Sequence, residues 1–467
     1  MVDSRTKFLA KNTLIFTIGN LATKFISFFL IPLYTNILTL DEYGTVDLVL
    51  IIVTIAVPLL SFNIMEAVMR FNLDKDVDKN KITKIGIVFL FVSAILCFLL
   101  IPAINFISVL KMYSIHFYFY CVSSVASQIF LADLRGKELL LQYSIGSVLN
   151  TFFIALFNII FLLFWDLGVK GYLFAYIVSN IFVSIYSIIV GKGYRAIFTP
   201  YDRKKAKEMV KYSIILIPYS FMWWIMNSSD HLMVTKMIGV DANGIYAISY
   251  KLPTLISAFV GIFNQAWGYS AIKENNSNDV EEYSNGILKF LVAITMIVGV
   301  GMLTITKTFL RIYVSPNFYG AWKYTPFLTI GFVFMTLGTF MGTSYTVNKD
   351  SRGILLSGVF GATLNIVMNF IFIPVIGIYG AAIATCISYF SVFIFRAVHT
   401  KKYISYQIFT KEFVIGIIAL CASGILMYYE GNFCEFFQIC ILLIVLIVYR
   451  KYWFSILLNV CRKARER

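Results

Sequence analysis

Long apolar runs separated by short polar breaks occupy nearly the whole chain, from about residue 8 to about residue 458. Fourteen runs are long enough to cross a bilayer, because a hydrocarbon core of roughly 30 Å needs about 20 apolar residues wound as an α-helix. Backbone groups in lipid must be satisfied internally, so the pattern predicts an all-α integral membrane protein. The predicted spans are residues 8–34, 45–66, 84–107, 115–133, 143–165, 169–190, 211–234, 245–268, 285–306, 323–346, 354–374, 377–398, 411–430 and 436–458.

The predicted helices form an internal repeat at a shift of about 200 residues. Residues 40–44, after the first helix, resemble residues 240–244, after the seventh, and residues 167–172 resemble residues 376–381. Six helices in each half give both halves the same orientation, as in transporters that move two lobes about a central site. We predict two pseudo-symmetric six-helix lobes and two appended helices. The predicted domains are residues 1–200, 201–400 and 401–467, the last ending in a basic tail.

The placement of charge gives a predicted orientation. Only 13% of the 467 residues are charged, against roughly 25% in a soluble domain, so no soluble domain is expected. If both termini are cytoplasmic, about 30 Lys and Arg side chains lie in cytoplasmic segments and about 6 on the other side. The net charge of +15 is therefore read as a topology signal, and no nucleic-acid partner is predicted.

The first predicted helix carries a polar stripe. Thr13, Thr17, Asn20, Lys24 and Ser27 follow one another at spacings of three or four, which places them on one helix face. Such a stripe is costly in lipid, so it is expected to face other helices or a water-filled cavity. Interhelical hydrogen bonding is the alternative for the uncharged members. A central lysine costs about 2.5 kcal/mol or more, so we predict that Lys24, with Asn20 and Ser27, binds substrate.

The seventh predicted helix carries an equivalent stripe, in which Ser213, Ser220, Trp224 and Asn227 share one register. We predict that Trp224 and Asn227 also contact substrate. Lys251 lies near the outer start of the eighth span, where substrate binding and snorkelling to the interface are both open.

Acidic residues are confined to the predicted helix ends, so no carboxylate is expected at a bilayer midplane. The cavity is therefore predicted to be cationic. The acidic residues in question are Asp47, Glu66, Asp133 and Asp230.

Three of the polar residues are candidates for gating. Asp230 is expected either to close a periplasmic gate by pairing with Lys236 or Lys251, or to be a solvated interfacial side chain. Glu66 and Arg70, four residues apart, are expected to form a local ion pair.

Enzymatic constellations are missing from the sequence. There is no GxxxxGK[ST] phosphate loop, and His116, His231 and His399 lack metal-ligand spacing. The seven cysteines show no CxxC spacing and are read as buried small side chains. We predict no enzyme activity, no cofactor and no metal.

Several short motifs, in their order and together with the helix count, carry a resemblance to a known family. The chain resembles the polysaccharide-transport branch of the multidrug/oligosaccharidyl-lipid/polysaccharide exporter superfamily, which includes O-antigen and capsule repeat-unit flippases. The motifs are Glu42-Tyr43-Gly44, Ser229-Asp230, Gly239 to Gly244-Ile-Tyr246 with Lys251, Asn365 to Asn369, Ile373-Pro374 and Gly377 to Gly380.

The resemblance implies a bacterial inner-membrane flippase with two lobes and alternating access. Its expected substrate is an undecaprenyl-diphosphate-linked oligosaccharide, moved from the cytoplasmic to the periplasmic leaflet, and its expected partners are a polymerase and other polysaccharide-assembly proteins. A cationic cavity suits a diphosphate headgroup. Related flippases of the lipid-linked cell-wall precursor have prominent cavity arginines, in place of which this chain offers Lys24.

Two other functions stay open at this point. A multidrug antiporter of the same superfamily would normally need intramembrane carboxylates, which the sequence does not place centrally. A membrane O-antigen polymerase or ligase would normally carry a long periplasmic loop, whereas the loops predicted on that side are all short.

Overall fold

The computed structural model describes residues 22–74, 77–106, 108–274, 277 and 279–452. The chain divides into two compact units, the first ending at Trp224 and the second beginning at Ile225. This division falls inside one continuous helix, Arg203–Met237. The domain boundaries at residues 200 and 400 stay a prediction.

The first unit is made of helices with an apolar core. Residues 22–29 are helical. The helices that follow are α1 (Ile31–Ile37), α2 (Leu40–Leu60), α3 (Ile64–Asn72), α4 (Lys79–Ile104), α5 (Ser114–Gly136), α6 (Leu140–Asn158), α7 (Gly168–Val190) and α8 (Arg203–Met237). Helix α5 packs on α3, α4 and α7, and α6 packs on α7 and continues into a π-helical turn at Ile159–Phe164.

Local chemistry sets the bounds of α2. Thr39 and Glu42 form a capping box, in which the Glu42 amide donates to the Thr39 hydroxyl at 3.2 Å and the Thr39 amide donates to the Glu42 carboxylate at 2.9 Å. At the other end, Asn63 takes a left-handed φ of 53°, which stops the helix after Leu60. The predicted span 45–66 is therefore wrong in its final residues, which belong to the separate helix α3.

The second unit repeats much of this order. Its helices are α9 (Val240–Ser249), α10 (Pro253–Glu274), α11 (Val280–Tyr313), α12 (Thr325–Val347), α13 (Ser351–Ile376), α14 (Ile378–His399), α15 (Lys411–Leu426) and α16 (Asn432–Val448). Helices α12 and α13 both pack on α14, and α11 packs on α12, α15 and α16.

The internal repeat of the sequence has structural counterparts. Helices α2 and α9 begin at Leu40 and Val240, and Gly168 and Gly377, at the starts of α7 and α14, both have positive φ angles, of 52° and 62°. Glycine adopts this region without the steric penalty that a Cβ brings. Equivalent positions of the two units are therefore 200 residues apart at the starts of α2 and α9, and 209 residues apart at the starts of α7 and α14.

The membrane character predicted from the sequence is confirmed, while the count of fourteen spans is not. Within the described residues, ten helices are long and apolar enough to cross a bilayer. Of the other four predicted spans, the first begins outside the described residues, and the eighth is divided by the turn 250–252. Helices α15 and α16 have 16 and 17 residues, shorter than a typical span. The described ranges contain helices and no strands.

Asp350 joins three segments at one end of the second unit. Its carboxylate accepts hydrogen bonds from the Gly353 amide at 2.9 Å, from Lys402 at 3.0 Å and from the Tyr403 hydroxyl at 2.8 Å. These donors, the Gly353 amide foremost, lower the pKa of Asp350 to about 2. The carboxylate caps α13 and ties it to the chain after α14.

We expect Asp350→Asn to lower the melting temperature of the purified protein at pH 7. A lowered native pKa stabilises the fold above the unfolded value of about 3.9, and this contribution is lost as the pH falls through about 2. The difference between wild type and variant should therefore shrink as melting is measured at pH 7, 4 and 3. Asp279→Asn is the control, because Asp279 precedes α11 without a side-chain capping bond. Equal losses in both variants at pH 7 would contradict this role.

Candidate functional site

The first-helix candidates are only partly described. Asn20 lies outside the described residues, and Lys24 is exposed on the helical stretch 22–29. The Ser27 hydroxyl donates to the carbonyl of Thr23 at 2.9 Å, within its own helix. This bond is not one between helices, so the interhelical alternative is not decided by it, and substrate binding by Lys24 and Ser27 stays a prediction.

The candidates on α8 have defined partners. The Trp224 indole N–H donates to the Ile51 carbonyl at 3.0 Å, which joins α8 to α2 inside the first unit. In the second unit, Asn227 accepts from the Tyr389 hydroxyl at 3.0 Å. Lys251 is half-buried in the turn between α9 and α10. The structure thus uses polar atoms of Trp224 and Asn227 for packing between helices, and a role in substrate binding stays a prediction for all three.

The predicted ion pair between Glu66 and Arg70 is wrong. Arg70 lies 2.7 Å from Asp74, also four residues away, and both side chains are exposed. The chain leaves α3 after Asn72, which brings the Asp74 carboxylate within reach, while Glu66 stays in the first turn of α3. At that position the negative charge of Glu66 interacts favourably with the positive, N-terminal end of the helix dipole. A gating role for Glu66 and Arg70 stays a prediction.

Asp230 is at the centre of a buried polar cluster in the second unit. The side chain of Asp230 is only 1% exposed. Its Oδ2 accepts from the hydroxyls of Tyr246 and Tyr250 at 2.6 Å each and from the Thr385 hydroxyl at 3.0 Å, while Oδ1 accepts from the His231 amide at 3.0 Å. Four donors compensate for the loss of water around the carboxylate, which burial otherwise makes costly.

Two asparagines of α13 extend this cluster. Asn365 donates to the Thr385 hydroxyl at 3.4 Å, and its carbonyl oxygen accepts from Asn369 at 3.0 Å and from Ser229 at 3.3 Å. The side-chain oxygen of Asn369 is buried and has no hydrogen-bond partner among the residues described. We call Asp230, Tyr246, Tyr250, Asn365, Asn369 and Thr385 the Asp230 cluster.

His231 packs beside the cluster and contributes to its walls. Its ring lies 4.9 Å from that of Tyr246 and 5.1 Å from that of Tyr250, and its Nδ1 lies 3.0 Å from the Asn243 side-chain oxygen. The ring contacts with His231 hold the side chains of Tyr246 and Tyr250 in place, and both tyrosine hydroxyls donate to Oδ2 of Asp230. The cluster is therefore held in place by aromatic packing as well as by hydrogen bonds.

The burial of Asp230 corrects one expectation from the sequence. The alternative of a solvated interfacial side chain is wrong, because Tyr246, Tyr250 and Thr385 surround the carboxylate. The predicted gate with Lys236 or Lys251 stays a prediction.

The sequence contained signals for two pairs of cluster residues. Tyr246 and Tyr250, and likewise Asn365 and Asn369, lie four residues apart and therefore on one helix face or its direct extension. Sequence reasoning missed their shared role because neither pair lies near Asp230 on one predicted helix.

Five of the six equivalent positions of the first unit are apolar, and the position equivalent to Thr385 is Tyr176. At a shift of 200 residues, Asp230, Tyr246 and Tyr250 correspond to Leu30, Val46 and Leu50, and at a shift of 209, Asn365 and Asn369 correspond to Leu156 and Ile160. The first unit therefore folds without a carboxylate cluster at these positions. Burial of polar groups costs free energy unless each group finds a partner. Because the fold does not require this cluster, we regard it as a candidate functional site.

The donor set of the cluster defines what it can do chemically. One carboxylate with hydroxyl and amide oxygens around it can hold a proton or a small hard cation, whose preferred ligands are oxygens. Asp230 would supply the charge, and the Thr385 hydroxyl, 3.0 Å from the carboxylate, would supply a neutral ligand. Across the part of the chain that the structure describes, no group of three or more His, Cys, Asp and Glu side chains could hold a metal ion.

A second buried carboxylate lies in the first unit. Asp133, which is 2% exposed, accepts from Asn72 at 2.9 Å and from Thr83 at 2.6 Å, and its other oxygen lies 2.6 Å from Lys137. Lys137 also donates to the Gly191 carbonyl at 2.9 Å. We call these five residues the Asp133 clamp. Its hydrogen bonds connect α3, α4 and α5 to the chain after α7. We therefore assign it a structural role.

Comparison with known proteins gives relatives of two kinds. A family model described as "Polysaccharide biosynthesis protein" matches residues 9–267. An uncharacterized membrane protein of Methanocaldococcus jannaschii is 24% identical over 426 residues, which cover 85% of this chain and 99% of that protein. A second uncharacterized membrane protein of the same organism is 24% identical over 260 residues, or 52% of this chain and 49% of that protein.

Solved transporter structures share the fold along most of the chain. The lipid II flippase MurJ in an inward closed conformation superposes with a TM-score of 0.66 at 12% identity, over 95% of this chain and 100% of that one. An inward-facing multidrug resistance MATE family transporter of the MOP superfamily gives 0.63 at 13% identity, over 87% and 95%. A Vibrio cholerae MATE transporter gives 0.59 at 12% identity, over 86% and 97%.

These findings confirm the resemblance that the sequence motifs suggested. At such identities the superpositions establish the fold alone, which this chain shares with the flippase and with the MATE transporter. The family model matches more than half of the chain, and the chain therefore belongs to the family of polysaccharide biosynthesis proteins.

Proposed function

We propose that this protein is a flippase for an undecaprenyl-diphosphate-linked oligosaccharide, such as an O-antigen or capsule repeat unit. It moves the lipid-linked glycan from the cytoplasmic to the periplasmic leaflet of a bacterial inner membrane by alternating access. Both chain termini are cytoplasmic in this proposal, and polymerase and other assembly proteins act on the exported unit.

The observation that carries the proposal is the fold, shared over 95% of the chain with a lipid II flippase. Membership of a polysaccharide biosynthesis family points to glycan as the cargo. A lipid-linked glycan joins these two facts, because it is both a lipid to be flipped and an intermediate of polysaccharide assembly.

Charge supports an anionic cargo. Lys24 is an exposed positive charge on the helical stretch 22–29. Lysine is a good partner for phosphate, since ammonium–phosphate hydrogen bonds are among the strong ones. We assign the diphosphate to Lys24 in this proposal.

A second candidate, a cation-coupled multidrug antiporter, is favoured by one observation. Asp230 is a buried carboxylate about 10 Å from the end of α8 at Met237, judged by the rise of 1.5 Å per residue. The sequence did not predict a buried carboxylate, which is what a proton or cation antiporter needs. The Asp230 cluster can equally couple a cation to glycan export, so it does not by itself choose between the two cargoes.

Deletion of the gene in its host distinguishes these functions. If the protein is a flippase, its deletion should cause single repeat units to accumulate on the cytoplasmic face and surface polysaccharide to be lost. Single units that reach the periplasm but stay unpolymerised would point to a polymerase or ligase. Unchanged glycan with new drug sensitivity would replace the proposal with the multidrug antiporter.

We expect Lys24→Ala to reduce glycan export at least about tenfold while the protein still inserts, because a hydrogen bond to a charged group contributes about 1.5–3 kcal/mol. Lys24→Arg should be the milder change if the positive charge is what matters. Export is measured as surface polysaccharide in the deletion strain, at matched membrane levels of each variant. Lys289→Ala is the control, because Lys289 lies four residues after the start of the predicted span 285–306, from where a lysine can snorkel to the interface. Wild-type export by Lys24→Ala would remove this site assignment.

A further inference from the structure

The segment between α7 and α8 carries an exposed surface that the transport proposal does not use. Residues 192–211 contain seven basic and two acidic side chains, a net charge of +5. Six of the basic side chains are exposed. These six are Lys192, Arg195, Arg203, Lys204, Lys207 and Lys211.

Apolar side chains are exposed among these charges. Within the short 3₁₀ helix Gly193–Phe198, Ala196 is buried against the first unit, whereas Ile197 is 56% and Phe198 88% exposed. Tyr194 and Tyr201 are exposed as well. The segment therefore has one face on the protein and a second, apolar and basic face directed away from it.

Two contacts fix the level of this face relative to the bilayer. Lys84 donates to the Ile197 carbonyl at 2.8 Å, and Lys81 lies 3.7 Å from Asp202. Both lysines lie in the first turns of α4, directly before its apolar stretch from residue 85 to residue 104. The segment is thus held where α4 enters the hydrocarbon layer, at the depth of the lipid headgroups.

We propose that residues 192–211 form an interfacial anchor that binds anionic phospholipids of the adjacent leaflet. Exposed aromatic and aliphatic side chains at headgroup depth insert into the boundary between headgroups and acyl chains. The surrounding Lys and Arg side chains attract anionic headgroups, at about fivefold in affinity for each basic residue near the surface. A protein partner bound by the same charges is the other possible occupant, and a membrane without other proteins separates the two.

The test is hydrogen–deuterium exchange of the full-length protein in two kinds of nanodisc. One contains phosphatidylcholine alone and the other contains phosphatidylcholine with phosphatidylglycerol. The anchor predicts slower exchange of the amides of residues 192–201 when phosphatidylglycerol is present. Equal exchange in the two nanodiscs would overturn the proposal, and this comparison needs no variant.

Matched charge variants then locate the effect. Arg203→Gln, Lys204→Gln and Lys207→Gln together should abolish the difference between the two nanodiscs. The control removes three exposed charges from the second unit, with Lys349→Gln, Arg352→Gln and Lys401→Gln, and should preserve the difference. Loss of the difference in both triple variants would show a general charge effect and would overturn the site.

A further double variant tests the apolar half of the anchor. Ile197→Ser with Phe198→Ser should raise exchange of the same amides in both nanodiscs. Unchanged exchange in both would contradict insertion of this face. None of these measurements depends on the cargo, so their failure leaves the proposed function standing.

Discussion

Asp230→Asn is expected to reduce transport at least about tenfold while the protein stays folded. Asparagine keeps the shape of the side chain and one acceptor oxygen, but it removes the negative charge that the hydroxyls of Tyr246, Tyr250 and Thr385 now face. A hydrogen bond to a charged group contributes about 1.5–3 kcal/mol, and a loss of about 1.4 kcal/mol already lowers a rate or an equilibrium constant tenfold. Glycan export in the deletion strain measures this effect.

Alanine at the same position separates charge from packing. Asp230→Ala leaves several buried donors without an acceptor, at about 1–3 kcal/mol for each such group, so we expect a loss of about 3 kcal/mol or more in stability. Thermal melting of the purified protein measures this loss. Asp241→Asn is the control, since Asp241 is exposed in the first turn of α9, where a change should stay below about 1 kcal/mol. Normal export by Asp230→Asn would show that the cluster only stabilises the fold.

Asp133→Ala is expected to destabilise the first unit by about 3–5 kcal/mol. Removal of one member of a buried ion pair leaves the other charge uncompensated, and Lys137 has a side chain only 10% exposed. Asn72 and Thr83 would lose their acceptor as well. Melting of the purified protein, or its yield in membranes, measures the change.

Two comparisons make this prediction specific. Asp74→Ala breaks the exposed pair with Arg70, also four residues apart, and should leave the melting temperature nearly unchanged, because solvent screens exposed ion pairs. The double variant Asp133→Leu with Lys137→Met removes both buried charges, and it should be more stable than Asp133→Ala. If the two single variants behaved alike, burial of the Asp133 clamp would have no energetic consequence.

The spans were predictable because lipid imposes one requirement on every helix, an apolar surface about 20 residues long. Their interruptions were not, since they depend on single residues. The end of α2 follows from the left-handed backbone at Asn63, and the break before α10 falls at Pro253, where a helix readily begins. Neither changes the apolar pattern, so hydropathy alone could not reveal them.

The candidate site was predictable only residue by residue. Asp230 and Asn227 were found because polar side chains in an apolar run need an explanation. Their environment was not, because the donors from Thr385 and Tyr389 lie 155 and 162 residues away in the sequence. The ion pair predicted for Arg70 was wrong for a simpler reason. Glu66 and Asp74 are both four residues from Arg70, and only the path of the chain decides between them.

The distance between Asp230 and Thr385 along the chain has a consequence for synthesis in the membrane. At about 5–20 residues per second, the ribosome adds the intervening 155 residues in about 10–30 s. During that interval the new carboxylate already has Tyr246 and Tyr250, which follow it within 20 residues. Both tyrosines are therefore synthesised before α14, so two of the four hydrogen-bond donors to Asp230 precede the donor from Thr385.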